Sequence, residues 1–77
     1  MDIRQRLGHT VKELRGSKGW SQEDLGFETE LHRTYISGIE RGVRNPTITV
    51  VARIAKALDV TPSRLLEGSG RRGRKRS

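Results

Sequence analysis

The chain has 77 residues, a formal net charge of +7 and no cysteine. Its length fits one domain, and the lack of cysteine excludes a disulfide framework and a thiolate zinc site. No apolar run approaches the roughly 18 residues of a membrane span, and the first residues lack the apolar stretch of a signal peptide. We therefore expect a small cytoplasmic protein.

The positive charge is concentrated at one end of the chain. Five of the sixteen lysines and arginines lie within 68–77, which otherwise holds only glycine and serine. Residues 1–67 carry eleven basic and nine acidic residues, a net charge of +2. We predict a folded domain over 1–67 and a disordered basic tail over 68–77. The tail is open to three interpretations: a cloning remnant, a solvated extension, or an arm that adds non-specific phosphate contacts.

The first predicted helix covers about residues 2–18. Gly19 is placed to end it, because glycine is favoured just beyond a helix C-terminus. Its inward face is predicted from four apolar residues at spacings of four, four and three, namely Ile3, Leu7, Val11 and Leu14.

The second predicted helix covers about residues 21–28. Ser21 and Asp24 have the spacing of a capping box, in which each side chain accepts a hydrogen bond from the other's backbone N–H. Trp20 precedes the cap and is predicted to pack, while Leu25 faces inward.

A short polar turn leads into the third predicted helix, at about residues 33–41. His32 is predicted to cap this helix, and Ile36 and Ile39 face inward. Gly42 ends it.

The fourth helix follows the cap Thr47 and runs to about Leu58, and the fifth covers about 62–67 after the start signal Thr61-Pro62. The sequence therefore predicts an all-α domain of five helices. The inward residues of the fourth helix recur at helical spacing and are Val50, Val51, Ile54 and Leu58.

Two short helices joined by a tight turn in a basic, all-helical domain indicate a helix-turn-helix reader of DNA. With its isoleucines inward, helix 3 exposes Arg33, Thr34 and Ser37. The N-terminal residues of a recognition helix contact bases. Arginine pairs with guanine, and threonine contacts a thymine methyl or hydrogen-bonds to a base. We predict that these three residues contact bases.

The segment 21–42 resembles the Cro/lambda-repressor-like (Xre) helix-turn-helix family, most specifically through RTYISGIERGVRNP at 33–46. Residues 54–60 are similar to its fourth helix. The resemblance spans about residues 4–67 and implies a five-helix domain with helix 3 in the major groove of double-stranded DNA. Residues 32–46 look most like the controller proteins of restriction–modification systems. Antitoxins share much of the motif, so a toxin protein stays open as an alternative main partner.

The resemblance implies further roles. Arg15 and Glu40 match a family pair that ties helix 1 to helix 3, although such a pair need not add net stability. For Tyr35, packing in the core and contact with phosphate or sugar are both open. The residues expected to contact the DNA backbone are Gln22, Tyr35, Arg41, Arg44 and Asn45.

The resemblance also suggests a homodimer formed through the C-terminal part of the chain. Two copies would place their recognition helices in successive major grooves, about 34 Å apart on a pseudo-palindromic operator. No effector domain follows, so we expect no small-molecule ligand. The predicted dimer residues are Leu58, Val60, Leu65 and Leu66, with Leu65 equally a candidate for the monomer core.

Two residues depart from the family pattern. Gly26 stands where alanine is common, and we expect another helix to pass close to it. Glu30 stands where glycine is common, and it would tolerate a positive φ less easily. Neither residue is predicted to contact DNA.

The residues do not indicate an enzyme, a metal site or a cofactor. His9 and His32 are isolated, without a cysteine or carboxylate cluster around them. The acidic residues of helix 2 resemble a solvated face. Besides the antitoxin alternative, a second rival is a non-specific nucleic-acid binder that depends on the basic tail.

Overall fold

The computed structural model describes residues 2–67, so the tail predicted over 68–77 lies outside the described residues. Residues 2–67 form five helices and no strand, which confirms the predicted fold class. No helix in this range is long and apolar enough to cross a membrane. The helices are α1 (Ile3–Ser17), α2 (Gln22–Thr29), α3 (Arg33–Glu40), α4 (Ile48–Ala57) and α5 (Pro62–Glu67).

The first four helices each begin at a side chain that accepts a backbone N–H, which satisfies donors that the helix itself leaves free. The predicted capping box is present, with Asp24 N–H donating to Ser21 at 3.0 Å and Ser21 N–H donating to Asp24 at 2.8 Å. At α1 the N–H of Gln5 donates to Asp2 and lowers the pKa of that carboxyl group. The four capping residues are Asp2, Ser21, His32 and Thr47.

The same four helices end in a Schellman turn around a residue in the left-handed region. After α2, for example, the N–H of Leu31 donates to the carbonyl of Gly26 at 2.9 Å. A left-handed residue other than glycine costs about 1–2 kcal/mol, so the expected strain at Glu30 is present and Asp59 adds a second case. The left-handed residues are Gly19 (φ 73°), Glu30 (φ 61°), Gly42 (φ 77°) and Asp59 (φ 61°).

One apolar core joins all five helices. In the packing, α1 contacts α3 and α5, α2 contacts α3 and α4, and α4 contacts α5. Trp20 and Leu31 pack against this core from the turns on either side of α2. The buried residues are Leu7, Val11, Leu25, Ile36, Ile39, Val51, Ile54, Ala55, Leu58 and Leu65.

The burial pattern corrects part of the predicted dimer surface. Leu58 is 4% exposed and Leu65 is 0% exposed, so both belong to the monomer core and offer a partner almost no surface. Val60 is half-buried against the same core, whereas Leu66 remains 38% exposed. The prediction for Ile3 is also wrong, because it is 57% exposed at the start of α1.

Two helical glycines allow backbones to approach closely. A Cβ atom at Gly8 would overlap the carbonyl oxygen of Ile39 and lie 2.7 Å from that of Glu40, so α1 touches the backbone of α3. A Cβ at Gly26 would lie 2.5 Å from the carbonyl oxygen of Leu31. The close neighbours of Gly26 are therefore the turn into α3 and Arg33, the first residue of that helix. Both contacts fix α3 against the preceding elements.

A buried hydroxyl without a partner leads to a stability prediction. Thr10 is 0% exposed, and its Oγ1 has no hydrogen-bond partner. Because a buried polar group that forms no hydrogen bond is destabilising, Thr10→Val should raise the free energy of unfolding by about 1 kcal/mol. Urea denaturation monitored by circular dichroism measures the change.

Thr29 provides the matched control. It is 1% exposed, and its hydroxyl donates to the carbonyl of Leu25 at 2.7 Å. Thr29→Val should therefore lower the free energy of unfolding by about 1 kcal/mol. A loss of stability in Thr10→Val as large as that in Thr29→Val would contradict the assignment.

Candidate nucleic-acid interface

An ion pair connects the three helices that build the candidate interface. Arg15 in α1 donates to Glu40 in α3 through Nε at 2.7 Å and through Nη2 at 3.0 Å. Its Nη1 donates to the carbonyl of Trp20 at 2.7 Å. Gln22, the first residue of α2, donates from Nε2 to the Glu40 carboxylate at 3.0 Å.

The pair is largely removed from solvent. The Glu40 side chain is 3% exposed and that of Arg15 is 15% exposed. The hydrogen bond to Glu40 raises the pKa of Arg15, so the guanidinium stays charged. Bidentate arginine–carboxylate geometry fixes direction as well as distance. The network therefore sets the orientation of α3 relative to α1 and α2.

The predicted base-contacting residues lie together on the outer side of α3. Arg33 and Thr34 are exposed in its first turn, and Ser37 follows one turn later, half-buried. Ile36 and Ile39, at 0% and 1% exposure, anchor the opposite side of the helix in the core. The outer face is thus presented by a helix that cannot rotate without exposing both isoleucines.

The cap of α3 also orients Thr34. The backbone N–H of Thr34 donates to Nδ1 of His32 at 3.1 Å. The hydroxyl of Thr34 lies 2.7 Å from the same nitrogen. Because Thr34 is exposed, its hydroxyl and methyl group are also accessible to a ligand.

The residues predicted to contact the DNA backbone occupy two places. Gln22 lies at the start of α2, with its amide nitrogen engaged by Glu40. The others lie in α3 or just after it. Tyr35 is half-buried and packs against the core. The guanidinium of Arg44 lies 5.6 Å from the centre of the Tyr35 ring. Arg41 and Asn45 are exposed. Their side chains, like those of Arg33 and Thr34, are open to a ligand.

The sequence predicted only Leu66 of a second exposed surface. Ile48 in the first turn of α4 is 86% exposed, and it borders a small groove with Ile3 of α1 and Leu66 of α5. We call these three residues the apolar patch. Ile48 could have been recognised from the sequence, because it directly follows the Thr47 cap and is not among the residues of the fourth helix that were predicted to face inward.

The described part of the chain has no competing cluster of metal-ligating side chains. Within residues 2–67, no group of three or more histidine, cysteine, aspartate or glutamate residues could hold a metal ion. The histidines have other surroundings: His32 caps α3, and His9 lies exposed on α1.

Comparison with known proteins identifies the family to which this five-helix chain belongs. A family model described as Helix-turn-helix matches residues 11–65. The chain belongs to this helix-turn-helix family of DNA-binding regulators. It is 51% identical over 67 residues to Control protein C.BamHI of Bacillus amyloliquefaciens, covering 86% of this chain and 83% of that protein.

Two solved structures have the same fold. The restriction-modification controller protein C.AhdI from Aeromonas hydrophila superposes with a TM-score of 0.78 and 42% identity, covering 80% of this chain and 94% of that one. The restriction-modification controller protein C.Esp1396I, solved as a tetramer in complex with its natural 35 base-pair operator, has a TM-score of 0.76 and 40% identity. That match covers 87% of this chain and 88% of the other.

The ion-pair network leads to a prediction about stability. Glu40→Ala leaves the largely buried Arg15 guanidinium without its carboxylate, so the free energy of unfolding should fall by about 3 kcal/mol. The control is Glu28→Ala, on the exposed side of α2, which should change stability by no more than about 0.5 kcal/mol. Chemical denaturation compares the two, and equal values would show that the network does not organise the fold.

Proposed function

We propose that this chain regulates transcription by binding a pseudo-palindromic operator as a homodimer, with α3 in the major groove of each half-site. The observation that carries the proposal is the outer face of α3. Arg33 and Thr34 stand in its exposed first turn while its opposite side is locked in the core. The N-terminal turn is the part of a recognition helix that reaches base edges.

We assign base reading to Arg33, Thr34 and Ser37. The guanidinium of Arg33 can pair with O6 and N7 of a guanine. Thr34 is exposed beside Arg33 and offers a base its hydroxyl and its methyl group. It therefore suits a hydrogen-bonding group on a base edge, or the methyl group of thymine.

We assign backbone contact to the residues that flank this face. Phosphate contacts fix the position of a protein on the duplex without reading its sequence. Arg41 and Arg44 supply positive charge beyond α3, and the half-buried Tyr35 offers its edge beside Arg44. The remaining two contacts of this set are Gln22 and Asn45.

The apolar patch is our proposed dimer contact. Ile48 and Ile3 are more than half exposed, and Leu66 retains its predicted role at the edge of α5. Burying exposed apolar surface of this kind against a second copy is favourable, because it removes that surface from water. A two-fold contact uses the same patch on both copies, and this contact replaces the one predicted through Leu58 and Leu65.

Among helix-turn-helix regulators, we propose the restriction–modification controller class and a location in the cytoplasm. The support is the 51% identity to a control protein and the fold shared with two controller structures. Binding to DNA, without catalysis, is the proposed activity. The concentration of the chain would set operator occupancy through dimerisation.

The first binding prediction concerns Arg33. Arg33→Ala should weaken binding to the chain's preferred duplex, selected from a random library, by about 1–3 kcal/mol and relax the base preference at one position. Arg44→Ala should instead weaken binding to selected and scrambled duplexes alike and reduce the log–log salt slope by about 0.9. Fluorescence anisotropy at several salt concentrations measures both variants.

Lys56→Ala is the control for lost charge, because Lys56 lies in the last turn of α4, outside the proposed interface. It should leave the base preference unchanged. If Arg33→Ala binds selected and scrambled duplexes with wild-type affinities, α3 does not read the sequence through Arg33.

The dimer prediction uses two residues of similar exposure. Ile48→Glu places a charge in the apolar patch, so the chain should become monomeric and bind the full operator more weakly than wild type. Phe27 in α2 is 82% exposed, compared with 86% for Ile48, and lies outside the patch. Phe27→Glu should remain dimeric. Analytical ultracentrifugation measures both, and a dimeric Ile48→Glu variant would exclude the patch as the contact.

A further inference from the structure

We propose that Gly38 and Tyr35 are positioning residues that hold Arg44 in its DNA-contacting conformation before DNA arrives. The inference rests on the proposed function in assigning the phosphate contact to Arg44. It goes further in stating that the conformation of this arginine is set by α3 itself.

The backbone of Arg44 is fastened to α3. The helix ends in a Schellman turn at Gly42, whose φ is 77°. The N–H groups of Val43 and Arg44 both donate to the carbonyl of Gly38, at 3.0 and 3.2 Å. The start of the loop is therefore an extension of the helix, and the Cα atom of Arg44 has a defined place beside it.

The stem of the Arg44 side chain lies over Gly38. A Cβ atom at position 38 would lie 2.5 Å from Cγ of Arg44, 3.3 Å from its Nε and 3.4 Å from its Cδ. Real Cβ atoms essentially never lie within 3.0 Å of another heavy atom, so a methyl group there must displace the arginine. Because the three nearest atoms all belong to Arg44, the space that Gly38 leaves open is filled by this one side chain.

The head of the side chain is placed by Tyr35. The Arg44 guanidinium lies 5.6 Å from the centre of the Tyr35 ring, within the range of a cation–π contact. Tyr35 is itself half-buried and packed against the core, so the ring is a fixed platform. The aliphatic part and the guanidinium of Arg44 are therefore both held by residues of α3.

Holding the arginine in advance favours binding. Arginine is among the side chains that lose the most rotamer freedom when they become ordered, and this loss opposes association when it occurs on binding. Here α3 imposes the order in the free protein. Releasing one such side chain should weaken binding about two- to tenfold.

The test is a double-mutant cycle on Gly38→Ala and Arg44→Ala. Gly38→Ala should weaken binding two- to tenfold on selected and scrambled duplexes alike, because the displaced group contacts phosphate. In the Arg44→Ala background, the same substitution should have no further effect. Gly16→Ala is the control, since Gly16 is also helical and a Cβ there meets nothing within 4 Å.

A second measurement needs no DNA. In the free wild-type protein, the NMR signals of the Arg44 side chain should be shifted upfield by the Tyr35 ring. In Gly38→Ala and in Tyr35→Leu they should move towards random-coil positions, while the melting temperature of Gly38→Ala stays equal or rises because alanine favours helix.

The outcomes are separable. The positioning role is overturned if the Arg44 NMR signals of the wild type are unshifted. It is also overturned if Gly38→Ala weakens DNA binding equally with and without Arg44. The two proposals can also fail separately. If the Arg44 NMR signals are shifted but the protein prefers no duplex sequence, the proposed function is contradicted. In that case Arg44 is still held by α3, but its contact with DNA phosphate is no longer supported. Wild-type affinity in Gly38→Ala overturns the proposal even if the NMR signals move.

Discussion

The bidentate contact between Arg15 and Glu40 holds the helix-turn-helix in its geometry. It joins α1 to the last residue of α3, and it extends to the start of α2 through Gln22 and to the intervening turn through Trp20. An ion pair removed from solvent need not be more stabilising than apolar residues of the same volume, but its directionality specifies one arrangement. That arrangement determines where the outer face of α3 points.

Two glycines allow close contacts that also position α3 and the residues next to it. At Gly8 the lack of a side chain lets α1 touch α3, and at Gly38 it makes room for Arg44. Apart from Gln22 at the start of α2, the candidate DNA-contacting groups lie on α3 and on the loop that follows it. The apolar patch lies on another side of the molecule, where α1, α4 and α5 meet, and Asn45 borders its groove. A dimer formed there would place its contact next to the loop proposed to contact the DNA backbone.

The sequence predicted the elements well because their signals are local. Caps at Ser21 and His32, glycines after α1 and α3, and apolar residues at helical spacing each reflect the hydrogen bonding or periodicity of a single helix. The outer face of α3 followed for the same reason, once its two isoleucines were placed inward. The contact of Arg15 with Glu40, 25 residues apart, came instead from family resemblance.

The sequence by itself determined five helices, their ends, and which residues α3 turns outward, since a 3.6-residue repeat and its caps are properties of short segments. Only the tertiary structure decided which apolar faces are covered. Leu58 and Leu65 are enclosed by neighbouring helices, while Ile3 and Ile48 are not, and periodicity cannot distinguish these cases. The structure likewise decided that Arg44 lies over Gly38 and Tyr35, because the Schellman turn at Gly42 returns the chain onto α3.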